Sequence, residues 1–167
     1  DLLKKHDKLH CKPTRHVTMP PVPEELDPPT PEELKALQGL AGAFNWLATR
    51  TRGDLAYPTS LLASSASRYS KWSQQLGQAM LRYLAGTTDQ TLRISREGSE
   101  TDLRVWTDAG FAGASTLSQN GLIITWGTSV ITWRSSRASL SALSTAEAEL
   151  CSAALGWQVL EGIRHVL

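Results

Sequence analysis

The hydrophobic period of this 167-residue chain changes from helical to alternating after Gly86, and that change limits what it can fold into. Upstream, Leu34, Leu37, Ala41, Phe44 and Leu47 recur at helical spacing, as do Trp72, Leu76, Met80, Tyr83 and Leu84. Downstream, Thr91–Ser95 and Leu103–Asp108 alternate as strands do. Gly121–Trp126 and Val130–Trp133 read as two further strands joined by a hairpin turn at Gly127. A helix then closes the chain, with Leu150, Ala154, Trp157, Leu160 and Ile163 on its period. The last three of these strands, followed by a helix, predict a mixed α/β (α+β) fold, not a βαβ repeat.

Punctuation residues divide the chain. Residues 1–19 are basic, with a short amphipathic helix predicted before Pro13 and Lys4, Lys5 and Lys8 on its solvated face. Residues 20–31 carry prolines at a density that forbids helix or central strand, which predicts an extended linker. Thr30-Pro31-Glu32-Glu33 is a capping box with proline at the first helical position. Gly53 breaks that helix, Asp54 is a candidate cap for the next, with Pro58 in its first turn, and Gly86 is placed for a C-terminal cap. Ser144–Glu147 repeats the capping box before the last helix. The predicted organisation is a basic segment and Pro-rich linker over 1–29, a helical unit over 30–88, and a strand-rich unit over 89–167.

Composition removes several function classes. The net charge is +1, so any grip on nucleic acid comes from local clusters such as Arg134 and Arg137, for which a solvated loop is the alternative. Two cysteines far apart make no disulfide framework. His6, His10, Cys11 and His16 are close in sequence, but their spacing fits no standard zinc finger. No apolar run reaches the roughly 18 residues of a membrane span. No nucleophile elbow, P-loop or dinucleotide fingerprint is present, which leaves no small-molecule substrate in view. Trp106, Trp126 and Trp133 suit sheet packing, with base stacking as the alternative. The chain opens without Met, in mid-pattern, which suggests a piece of something longer.

Two carboxylates could carry chemistry. Asp108 ends a predicted strand before a glycine-bearing turn. In the last helix Glu147 has a capping task, whereas Glu149 shares a stripe with Ala153, Gly156 and Leu160. Small residues there permit close approach to a sheet, so Glu149 is the better partner for Asp108. Paired carboxylates suit magnesium, a hard ion that prefers oxygen ligands.

Val105-Trp106-Thr107-Asp108-Ala109-Gly110 resembles the first strand and turn of the ribonuclease H domain in copia-type retrotransposon Pol polyproteins. Ile131–Arg137 and Leu143–Leu150 resemble later stretches of that domain, and the Glu149–Ala153 run resembles the start of its first helix. Upstream, Leu2–Lys5, Cys11-Lys12-Pro13, Leu40–Tyr57 and Leu81–Thr88 are similar to the family's connection region, in the same order. Gly53 stands where the family has proline, and Gly110 where it has a second aspartate.

The resemblance implies a helical connection region and a partial ribonuclease H-like domain, an antiparallel three-stranded meander plus the first helix. It implies magnesium-dependent cleavage of the RNA strand of an RNA–DNA hybrid during reverse transcription. Asp108 and Glu149 would be catalytic and metal-binding, with two Mg2+ ions in the complete domain, Asp108 touching both. The third and fourth carboxylates of the family lie beyond Leu167, so this piece is expected to be inactive alone. The partners implied are the RNA–DNA hybrid and the rest of the polyprotein, in a cytoplasmic particle or the nucleus. The alternative is a non-catalytic ribonuclease H-like remnant that binds protein or nucleic acid. A purely structural helical module fits 30–86 but leaves the Asp108/Glu149 pairing unexplained.

Overall fold

A computed structural model describes residues 2–6, 12–95, 102–111, 118–139 and 141–166. The chain divides into two compact units, 1–91 and 92–167.

The first unit is helical. It comprises α1 (Leu2–Lys5), α2 (Pro31–Arg50), a 3-10 turn (Gly53–Leu55), α3 (Ala56–Ser65) and α4 (Ser70–Gly86). The reciprocal capping box at Thr30 and Glu33 forms as the sequence predicts. The core is Leu37, Phe44, Leu55, Leu62, Leu76 and Met80 with their neighbours, the inward stripes of three helices. The Pro-rich stretch departs from a free linker, because Asp27 pins it to the start of α4. The Asp27 backbone exchanges hydrogen bonds with Arg68 and Ser70, and its carboxylate accepts from the Lys71 amide at 3.0 Å. An N-terminal cap is thus supplied from 44 residues away.

Two further expectations in this unit need correction. Asp54 does not cap α3, whose N-cap is Leu55 without a side-chain bond. Gly86 is the last residue of α4 with Thr87 as C-cap, and its role is space. The Thr14 backbone crosses so close that a Cβ on Gly86 would overlap the Thr14 carbonyl.

The second unit has strands β1 (Leu103–Gly110), β2 (Gln119–Trp126) and β3 (Ser129–Arg137), then helix α5 (Thr145–Arg164). The sheet is an antiparallel meander in the order β1-β2-β3, as the short connections predict. Gly127, at φ 56°, supplies the left-handed residue of the two-residue hairpin. Residues 91–95 do not form the predicted strand. The Ser129 hydroxyl instead takes both backbone groups of Ser95, accepting from its N–H at 2.9 Å and donating to its carbonyl at 3.0 Å.

Helix α5 packs on one face of the sheet, chiefly over β1 and then β2. Leu160 joins Leu122 and Ile124 in the core, flanked by Leu103, Val105 and Val159. Leu150 and Trp157, expected in that interface, are 70% and 58% exposed. The buried stripe is Ala148, Ser152, Gly156 and Leu160. A Cβ on Gly156 would overlap the Thr107 side chain and come within 3.0 Å of Val105 Cγ2, so the helix turns its smallest residues inward. Among the described residues no helix is long and apolar enough to cross a membrane.

Gly156 and Gly162 therefore predict opposite outcomes. Gly156→Leu should destabilise the second unit by about 1–3 kcal/mol through overpacking. Gly162→Ala, with open space around it, should be neutral or stabilising by up to about 1 kcal/mol. Urea denaturation of the two variants measures both.

Candidate functional site

Asp108 lies near the C-terminal end of β1, opposite Gly121, and is exposed. The pleat sets it with Arg104 and Trp106 on the face away from α5, since Val105 and Thr107 meet the helix. Glu149, also exposed, sits one residue past buried Ala148, about 100° round the helix. It flanks the buried stripe on the same side as Gly156, two turns away.

One hydrogen bond fixes the register between these elements. The Ser152 hydroxyl donates to the Asp108 carbonyl at 2.7 Å and reaches the Gly121 carbonyl at 3.3 Å. Gly156 lies over Val105 and Thr107, so α5 runs antiparallel to β1. Seven residues of helix span about 10 Å, about three residues of strand. Glu149 therefore comes to the Asp108–Gly110 end of β1. The two carboxylates approach that end from opposite sides of β1, which is an edge strand of the described sheet.

Glu147 is occupied elsewhere. Its amide donates to Ser144 Oγ at 3.1 Å, and its carboxylate accepts from the Leu143 amide at 2.6 Å. The return bond of the capping box thus goes one residue beyond the cap, and Glu147 stays at the helix start as its position predicts.

Arg134 and Arg137 are three apart on β3, so they emerge on opposite faces. The register Gly110–Gln119–Arg137 puts Arg137 on the Asp108 face. Arg134, opposite Leu122, belongs to the α5 face. Among the described residues no three His, Cys, Asp or Glu side chains converge on a possible metal position. His10 and Cys11 lie outside the described residues.

A polar cluster in the first unit links two motifs that sequence reading treats separately. The Arg52 guanidinium, 6% exposed, clasps Asp54 through Nε at 3.0 Å and Nη2 at 2.8 Å. It also donates to the Thr87 carbonyl at 3.1 Å and hydroxyl at 2.7 Å, and lies over the Tyr83 ring. The Tyr83 hydroxyl donates to Asp54 Oδ2 at 2.7 Å. Burial pushes the Asp54 carboxyl up, but the bonds from Arg52 and Tyr83 outweigh it and hold the group below its ordinary range. The Asp54 bond raises Arg52 against the opposing effect of burial. Burial, then Asp54, pushes the Tyr83 phenol up. Arg and Asp two residues apart are the only local signal for this cluster, because Tyr83 and Thr87 are distant in sequence.

No family model and no solved structure matches the chain. Curated relatives do. Over 158 residues it is 30% identical to the retrovirus-related Pol polyprotein from transposon RE2 of Arabidopsis thaliana, covering 92% of this chain and 11% of that protein. The Pol polyprotein from transposon TNT 1-94 of Nicotiana tabacum is 32% identical over 114 residues, 67% of this chain and 8% of that protein. The secreted RxLR effector protein 161 of Plasmopara viticola is 33% identical over 110 residues, 65% of this chain and 77% of the effector. The chain belongs to one family with these proteins. It is homologous to a segment of plant retrotransposon Pol polyproteins and spans about a tenth of the length of the RE2 relative.

The Arg52 cluster sets a pH window for the helical unit of this Pol homologue. Asp54, lowered on folding, contributes stability that is full above the ordinary carboxylate value of 3.8 and is lost as pH falls through its lower folded value. Tyr83, raised on folding, contributes stability that is full below its ordinary 10.0 and is lost as pH rises through its higher folded value. Thermal melts followed by circular dichroism should show Asp54→Asn flattening the acid limb and Tyr83→Phe the alkaline limb. Thr87→Val, which strips a fully buried acceptor from Arg52, should cost about 1–3 kcal/mol at neutral pH.

Proposed function

We propose that this chain is the connection region and the start of the ribonuclease H domain of a copia-type Pol polyprotein, whose complete domain hydrolyses the RNA strand of RNA–DNA hybrids. The observation that carries the reading is the Ser152–Asp108 bond, which seats the helix turn bearing Glu149 on the strand bearing Asp108. The donor set suits magnesium in kind, two exposed carboxylates at one strand end. It falls short in number, because two closely spaced Mg2+ ions need several carboxylates to neutralise and bridge them. When bound, the metal supplies charge stabilisation and an activated water to phosphodiester hydrolysis. Asp108 holds its position through the β1 ladder, and Glu149 orients from the first turns of α5. Arg137, on the Asp108 face, would meet a phosphate of the hybrid. Arg134 faces the other way.

The second reading, a non-catalytic remnant, draws on the effector. A protein of which this chain covers 77% carries the region without the length of a Pol polyprotein. It would make the domain a binding scaffold for protein or nucleic acid.

A labelled RNA–DNA hybrid separates the two readings. The 167-residue chain should cleave it no faster than buffer. Extension through the next aspartate-bearing strand and final acidic residue of the parent polyprotein should restore Mg2+-dependent cleavage, and Asp108→Asn or Glu149→Gln should abolish it. A second readout is Mg2+ titration by NMR of the extended chain, with shifts at the Asp108 and Glu149 amides that Asp108→Asn removes. An extended chain that folds but neither cleaves nor binds Mg2+ supports the remnant. Chelator-sensitive cleavage by the unextended chain would show that the absent carboxylates are not needed.

A further inference from the structure

The first unit carries an open surface depression of about 380 Å³. Its wall is built from three parts of the chain. Arg15, His16 and Met19 come from the N-terminal strap, Asp54 and Tyr57 from the turn into α3, and Tyr83 from α4. The strap is fixed by the Thr14 amide donating to the Arg82 carbonyl at 3.2 Å and by Trp72 Nε1 donating to the Pro20 carbonyl at 3.3 Å.

The depression has two chemically different parts. One is acceptor chemistry. The Asp54 side chain is 34% exposed although Arg52 and Tyr83 grip it. Its Oδ1 accepts from Arg52 Nε at 3.0 Å, and a carboxylate oxygen can accept from more than one donor. The other is the strap, with the Arg15 guanidinium and the His16 imidazole. Arg15 meets Asp89 only at 3.6 Å, with both side chains more than two-thirds exposed, a pair too weak to hold it back from another anion. Tyr57, 48% exposed, adds an aromatic ring to the lining, and Met19 a flexible apolar wall.

A ligand matching this lining carries a hydrogen-bond donor on a planar ring and an anion at its other end. We propose that the depression binds one nucleotide with an amino-bearing base, the amino group donating to Asp54 Oδ1, the ring stacking on Tyr57 and the phosphate meeting Arg15 and His16. The Arg15 charge disfavours the other donor-bearing candidate, a lysine side chain of a protein partner. Uracil fits less well, because the carbonyls flanking its one N–H face the Asp54 carboxylate. The site lies wholly within the first unit and stands or falls apart from the Asp108/Glu149 assignment.

The chain supplies its own probe. It has two methionines, Met19 in the wall of the depression and Met80 fully buried in the core. In methyl-13C-methionine NMR of the full chain, adenosine 5′-monophosphate should shift the Met19 signal saturably and leave Met80 in place. Uridine 5′-monophosphate should bind more weakly. Tyr57→Ala should weaken adenosine monophosphate by about tenfold, the scale of one lost stack. Arg15→Ala should weaken the monophosphate by about tenfold and leave adenosine unchanged. The unmoved Met80 signal certifies that each variant is folded. A Met19 signal untouched by millimolar nucleotide overturns the proposal. So does one shifted equally by inorganic phosphate alone, or one that responds to N-acetyl-lysine methylamide and to no nucleotide.

Discussion

The second unit depends on how closely α5 can approach β1. Gly156 has no side chain to separate helix from strand, and Thr107 and Val105 fill the space a Cβ would need. One turn earlier, the Ser152 hydroxyl sits between the carbonyls of Asp108 and Gly121. A buried hydroxyl in this place costs little because it is satisfied by backbone acceptors on two strands. That contact sets the height and the register of the helix together. The Leu122–Ile124–Leu160 cluster follows from it.

The first unit solves a different problem, with a buried charge. Removing a guanidinium from water is expensive unless every donor is used. Here Arg52 meets a carboxylate, a hydroxyl and a carbonyl, with an aromatic ring beneath. The cluster joins the turn after α2 to the end of α4, 35 residues apart. Apolar packing alone lets helices slide and rotate, whereas this set of directional bonds accepts one arrangement.

Local signals made much of the fold legible. The capping box at Thr30, the meander and the glycine hairpin rest on neighbours in sequence, and each formed as read. The stripe of small residues in α5 pointed to close approach, but Leu150 and Trp157 did not follow, because hydrophobicity says nothing about which stripe fits a given strand. What escaped the sequence was long-range and polar. Asp27 caps a helix from 44 residues away, Arg52 finds Thr87, and Ser129 takes the backbone of Ser95. In the candidate site the placement of Glu147 at the helix start was legible from spacing. The opposite facing of Arg134 and Arg137 follows from the strand period, though their closeness in sequence suggests a pair.

The strap over Gly86 also bears on the order of events as the chain emerges. Thr14 docks on residues 82–86, about seventy positions later, so its binding site does not exist until α4 is complete. Asp27 waits likewise for residues 68–71. The earliest-made part of the first unit is therefore among the last to settle, held solvated by its lysines and prolines until the helices behind it have assembled. Local opening should follow the reverse path, with the strap leaving before the helical core gives way.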